Sequence, residues 1–337
     1  MNKSIFSLLI FIFFLSCEKK EKTDNSIAET PQIIEGNAYG STFKIVYYSH
    51  GKDLNPEIEK IMQEFDASVN TYIEDSHLSR FNQSKKGSFA DPMMIELFDL
   101  SRQLNTKTNG FFDPSVAGLS VLWGFSKEGA KNAPTQIQVD SVLKFTGLQH
   151  AQLLNDSLIK KHPSFSLNFN AITGYVNDKI GQYLDSRKVD NYLIEIGGEL
   201  LAKGIKPDST YWSVGIDKPV ENAEQQLFAT LNLKNEALAT SGNYRKFYLD
   251  EQGRKIVHTI NPKTGMPQTT TLLSATVIAK TCAEADATAT ALMAMGLEKA
   301  QEYVSNRTDL KFFLIWSDDV GEYQSKTYNG FEANLID

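Results

Sequence analysis

The sequence predicts a mixed α+β fold, built as one large domain over residues 33–337 with room for two lobes. Three observations predict it. Helical spacing is concentrated early, where Ile58, Ile61, Met62, Phe65 and Val69 recur on one face. Short strand-like runs separated by turn residues dominate from Tyr192 onward. The two kinds of segment do not alternate, as a doubly wound sheet would require.

Taken in order, residues 33–48 carry β-branched and aromatic side chains around Gly36 and Gly40, which suits paired strands. Asp91-Pro92 is a cap followed by a first-turn proline and predicts a helix that stops at Gly110. Residues 192–196, 212–216, 227–233, 244–249, 273–279 and 312–316 read as strands. Residues 283–295 are rich in Ala, Leu and Met, close at Gly296 and read as a helix. No linker or repeat interrupts this stretch.

The beginning of the chain reads differently. Lys3 precedes an apolar run over residues 5–15 that ends in Leu15-Ser16-Cys17. The run is shorter than the roughly 20 residues that span a bilayer, and it has the length of a signal-peptide core. Its end resembles the lipobox of bacterial lipoproteins. Residues 1–16 are therefore expected to be a lipoprotein signal peptide. Residues 17–32 are expected to be a lipidated Cys17 and a charged, aromatic-free tether. Two acyl chains on Cys17 suffice for stable anchoring. The expected location is outside the cytoplasmic membrane, lipid-anchored and facing the periplasm.

Composition narrows the function. The chain has 337 residues and a formal charge of −7, without a basic cluster beyond Lys19, Lys20 and Lys22, so nucleic acid is not an expected partner. Five histidines argue against a histidine-rich metal site. Of two cysteines, Cys17 would be consumed by lipid, leaving Cys282 without a disulfide partner.

What remains are Gly/Asp/Thr segments. Asp286 and Thr290 stand four apart on a predicted helix, so both oxygens share a face. A carboxylate beside a hydroxyl is hard-oxygen ligation suited to Mg²⁺, which takes few protein ligands and shares itself with phosphates. Taken alone, the same residues are better read as a helix N-terminus, where acids and hydroxyls cap and complement the dipole. Residues 261–265, Asn-Pro-Lys-Thr-Gly, form an obvious turn behind His258. Gly197-Gly198 follows a strand and marks a tight bend or a close approach of backbone to ligand. Residues 110–115 and 168–175 read as loops that lead into helices or as core aromatics.

Together and in this order, these segments resemble the ApbE family of FAD:protein FMN transferases. The resemblance rests on Tyr39-Gly40-Ser41-Thr42, Thr71-Tyr72, Phe112-Asp113-Pro114, Trp123-Gly124-Phe125, residues 168–175, Gly197-Gly198, residues 240–244, residues 258–267 and residues 286–290. It implies an enzyme that uses Mg²⁺ to transfer FMN from FAD to a threonine hydroxyl of a target flavoprotein, as a phosphoester, with AMP leaving. The resemblance implies metal ligation by Asp286 and Thr290, a main-chain carbonyl at Ala171, and a contribution at Ala289. It places Tyr39, Tyr72, Phe111, Phe112, Asp113, Asn168, Thr173 and Ile260 around FAD. His258 would lie beside the diphosphate and, with Asp286, carry the catalysis. Here Asn168 stands where the family usually has Asp, and Tyr39 where Met is common. Hydrolysis of FAD to FMN and AMP, or storage of FAD by a lipoprotein, are the competing readings.

Overall fold

The computed structural model describes residues 30–125, 129, 133–220, 226–244 and 246–336. The expected signal peptide, Cys17 and most of the tether lie outside the described residues.

The framework is one eight-stranded sheet whose order in space is its order in the chain. Its strands are β1 (Gln32–Ala38), β2 (Ser41–Tyr47), β3 (Tyr192–Ile196), β4 (Glu199–Lys203), β5 (Ala237–Gly242), β6 (Leu272–Ala279), β7 (Lys311–Ser317) and β8 (Tyr323–Tyr328). Each neighbouring pair is antiparallel. Apart from the last few residues, which follow β8, the other elements are inserted between strands. Between β2 and β3 come α1 (Asn55–Val69), α2 (His77–Gln83), α3 (Pro92–Lys107), α4 (Ala117–Leu122), α5 (Gln136–Leu143) and α6 (Gly174–Ser186). Between β6 and β7 come α7 (Cys282–Met295) and α8 (Leu297–Ser305). The expected α+β architecture is thus what the chain adopts.

Local chemistry explains the boundaries. Asp91 caps α3 by accepting from Met94 N at 2.8 Å, with Pro92 in the first turn. The helix stops at Lys107, short of the expected Gly110, because Asn109 and Gly110 turn out with φ of 53° and 76°. Gly197 and Gly198, with φ of 71° and 104°, form the two-residue turn joining β3 to β4, a conformation glycine adopts without strain. The strand expected at 244–249 shortens to Phe247–Leu249, and ahead of it Asn243 Oδ1 accepts from Thr259 Oγ1 at 2.7 Å.

Helix α7 is almost wholly buried and mostly apolar, its polar side chains confined to residues 284–290, as suits a helix packed within a core. It lies on β5 and β6 and against α6. The main core fills the space between helices and sheet. A second core joins the opposite sheet face to a small antiparallel sheet of Trp212–Asp217, Leu227–Leu233 and Leu335–Ile336. A third, smaller cluster of Leu119, Trp123, Val139, Ile256 and Ile260 stands apart. Among the described residues, no helix is long and apolar enough to cross a membrane.

Candidate active site

The first wall of the site is the N-terminal half of α7. Thr281 caps this helix by accepting from Glu284 N at 3.4 Å, and Asp178 of α6 accepts from Cys282 N at 2.7 Å and Ala283 N at 2.9 Å. The capping duty therefore belongs to these two residues, leaving Asp286 and Thr290 for other work. Asp286 is 5 % exposed. Its Oδ2 accepts from Gly174 N at 3.1 Å and Thr173 Oγ1 at 3.4 Å. Gly174 is required here: a Cβ at that position would sit 2.6 Å from Cys282 O. The absence of a side chain lets α6 start directly against α7.

Burial holds the carboxyls of this wall toward their protonated forms. Burial lifts the Asp286 carboxyl to about 7, against the opposing pull of its hydrogen bonds, with Asp178 adding to the lift. Burial also raises Asp178 to about 6. Glu199, at the start of β4, is pushed well above the usual carboxylate range by burial and then by Asp286. Among the described residues no ammonium or guanidinium forms an ion pair with any of the three. Buried carboxylates of this kind call for a cation or a proton.

The second wall is the excursion between β5 and β6, held by the small third core. Trp123 Nε1 donates to Gly265 O at 2.8 Å, and Tyr248 Oη donates to Trp123 O at 2.9 Å. The Asn261 turn is closed by Lys263 N onto Asn261 Oδ1 at 2.9 Å and Gly265 N onto Asn261 O at 2.8 Å. His258 follows the short strand Lys255–Val257. Its Nδ1 lies 3.1 Å from Lys246 O. A carbonyl only accepts, so Nδ1 carries the hydrogen and Nε2 keeps a free lone pair. Burial, then the nearby Lys246 charge, lowers His258 to about 4, so the ring is neutral at physiological pH.

The two walls face each other across a cavity of about 370 Å³. Of the residues singled out in the sequence, Tyr72, Phe111, Phe112, Asp113, Asn168, Ala171, His258, Ile260, Asp286 and Thr290 line it. Tyr39 lines an adjoining hollow of about 740 Å³, which meets the cavity at Tyr72. Tyr39 Oη donates to Met62 O at 3.2 Å. Thr173 is not a lining residue; it reaches the site through Asp286. Ala289 is fully buried within α7 and does not line the cavity. Glu199, Ser241 and Lys246 line it too, and the sequence reading passed over their side chains. Glu199 directly follows the paired glycines, a signal that could have singled it out.

The donor set fits Mg²⁺. Among the described residues no three His, Cys, Asp or Glu side chains converge as a protein-only metal cage. Mg²⁺ does not need one, because it keeps water and phosphate oxygens alongside one or two carboxylates. Asp286, without an ion pair among the described residues, and the Thr290 hydroxyl one turn later suit such sparse ligation.

Comparison with known proteins shows which family has this sequence and fold. The model of the ApbE family matches residues 39–314. The FAD:protein FMN transferase of Escherichia coli K12 is 33 % identical over 316 residues, which cover 90 % of this chain and 89 % of that protein. Its Vibrio cholerae counterpart is 30 % identical over 342 residues, covering 98 % and 99 %. Among solved structures, the flavin transferase ApbE from Vibrio cholerae superposes with a TM-score of 0.80 at 29 % identity, covering 91 % of this chain and 99 % of that one. The apo form of the Pseudomonas stutzeri flavinyl transferase ApbE gives 0.81 at 30 % identity, covering 92 % and 98 %. With a family match over residues 39–314 and a fold shared over about nine-tenths of its length, the chain belongs to the ApbE family.

Proposed function

We propose that this protein transfers FMN from FAD to a threonine hydroxyl of a target flavoprotein, with Mg²⁺ as the metal. The observation that carries the reading is Asp286 beside Thr290 on the cavity side of α7, a buried carboxylate that forms no ion pair among the described residues. The relatives named as FAD:protein FMN transferases support the same chemistry. A ligand longer than either hollow can lie across both, since Tyr72 borders each. The aromatic rings of Tyr72, Phe111 and Phe112 offer faces and edges for a flavin or adenine.

Asp286, Thr290 and the main-chain carbonyl of Ala171 would hold Mg²⁺, which supplies charge neutralisation and alignment of the phosphate oxygens when bound. Lys246 adds positive charge on the opposite wall. In the transfer, the threonine Oγ–P bond forms at the riboflavin phosphate while the P–O bond to AMP breaks. The hydroxyl proton leaves to His258 Nε2, whose lone pair is free because Nδ1 is committed to Lys246 O. An anionic diphosphate beside the ring favours its protonated form and offsets the burial that weakens it as a base. Thr173 and the Gly174 amide keep the Asp286 carboxylate turned toward the cavity.

The proposed location is the outer face of the membrane. Cys17 would be the lipid anchor and residues 17–32 the tether, on the strength of the apolar run that ends at Cys17. The acceptor is expected to be a membrane redox subunit or an exported flavoprotein presenting a threonine in an accessible segment. Mixing the purified protein with FAD, Mg²⁺ and such an acceptor tests the reading by mass spectrometry and by AMP release. Acceptor heavier by one FMN, with one AMP per label, is expected. AMP without label would mean hydrolysis, and bound FAD without AMP would mean storage; either result refutes transfer.

A further inference from the structure

Both proposed side-chain ligands sit on α7, yet neither is oriented by α7 alone. The Asp286 carboxylate is held by the start of α6, through Gly174 N at 3.1 Å and Thr173 Oγ1 at 3.4 Å. The corresponding hold on Thr290 comes from the sheet. Ser241 Oγ lies 3.2 Å from Thr290 Oγ1. Strand alternation explains the contact: Ala239 of β5 packs into the helix-side core while Leu238 packs into the opposite one. Ser241, two residues beyond Ala239, faces α7 as well.

A threonine hydroxyl that ligates a cation offers an oxygen lone pair, so its hydrogen must point elsewhere. Among the described residues, Ser241 is the one side chain hydrogen-bonded to Thr290 Oγ1. We infer that Ser241 is a positioning residue of the cation site, accepting the Thr290 hydroxyl hydrogen so that the Thr290 lone pairs face Asp286 and the cavity. The inference rests on the metal reading above. Ser241 itself lines the cavity, but its role is exerted through Thr290. Outer partners of this kind orient a ligand before the cation arrives, and their loss weakens metal affinity roughly 10–100-fold.

The experiment uses the full chain without FAD. Binding of Mn²⁺ is followed by electron paramagnetic resonance, and binding of Mg²⁺ by calorimetry. Ser241→Ala is expected to weaken both by about tenfold or more, with an unchanged thermal midpoint in the absence of metal. Ser241→Thr, which restores the hydroxyl, is expected to recover affinity. A Ser241→Ala protein that binds both cations like wild type, or a Ser241→Thr protein that stays as weak as the alanine variant, overturns the inference. Asp286→Asn separates the two levels of the argument. If it loses cation binding while Ser241→Ala keeps it, only the role of Ser241 fails. If Asp286→Asn binds like wild type, the metal reading itself fails.

Discussion

The two walls of the cavity are held by very different means. The α7 wall is part of the main core: its helix is buried on nearly every side and pinned at its N-terminus by Asp178, Thr281 and the close approach of Gly174. The His258 wall is an excursion between two strands, resting on a five-residue apolar cluster and a few hydrogen bonds from Trp123 and Tyr248. The difference teaches which part of the reaction each wall can serve. Charge that must be held in fixed geometry belongs on the rigid wall. The opposite wall, which must admit a dinucleotide and then a protein threonine, is anchored by contacts that can yield separately from the core.

The largest expected effect breaks the rigid wall chemically without breaking it mechanically. Asp286→Ala is expected to lower AMP release and acceptor labelling by about a thousandfold or more, the scale at which charge-neutralising groups act in phosphoryl transfer. Because it removes a buried carboxylate that burial destabilises in its charged form, the metal-free protein should melt no lower than wild type. A calorimetric scan beside the activity assay checks both halves.

Gly174→Ala breaks the same wall mechanically. The added methyl would press on the Cys282 carbonyl at 2.6 Å, and overpacking of this kind destabilises by about 1–3 kcal/mol. Urea unfolding should show the loss. Cation affinity should fall with it, since the Gly174 amide holds Asp286.

Trp123→Phe attacks the other wall. It removes the donor to Gly265 O while keeping most of the ring, leaving a buried carbonyl without its partner, at about 1–3 kcal/mol. Steady-state kinetics should show a raised KM for FAD, with cation affinity unchanged. A fall in cation affinity of the same size as in Gly174→Ala would erase the distinction between the walls.

The smallest effect is in pH, and the walls should respond with opposite signs. His258 is held at about 4 in the fold against an ordinary 6.5. The folded state therefore binds fewer protons than the unfolded one between those values, and its contribution to stability is lost as pH falls from about 6.5 toward 4. Asp286 is raised to about 7 from 3.8. Its contribution is present below 3.8 and lost as pH rises through about 7 in metal-free protein. Melting curves across this range should lose the acid-side dependence in His258→Gln and the alkaline-side dependence in Asp286→Asn.

Much of this was written in local sequence. Asp91-Pro92 opens α3, and Gly296 closes α7, because caps act within a few residues. The Asp286 and Thr290 pair was legible since a four-residue spacing places two side chains on one helical face wherever that helix goes. His258 was singled out by the family resemblance and not by the turn behind it, and the hydrogen bond that sets its tautomer was not legible.

Ser241 and Glu199 were not legible in this way. Their roles arise from β5 and β4 passing beside α7, and such neighbours are set by sheet order and not by any short spacing. The same limit applies to what caps α7: the Asp178 carboxylate comes from 104 residues away. The kinds of element, their capped ends and which side chains share a face are written in the chain, because each depends on backbone geometry over a few residues. Only the tertiary structure decided which carboxylates lose their water and their counter-charges together, because burial and electrostatic coupling belong to segments distant in the chain that share one interior.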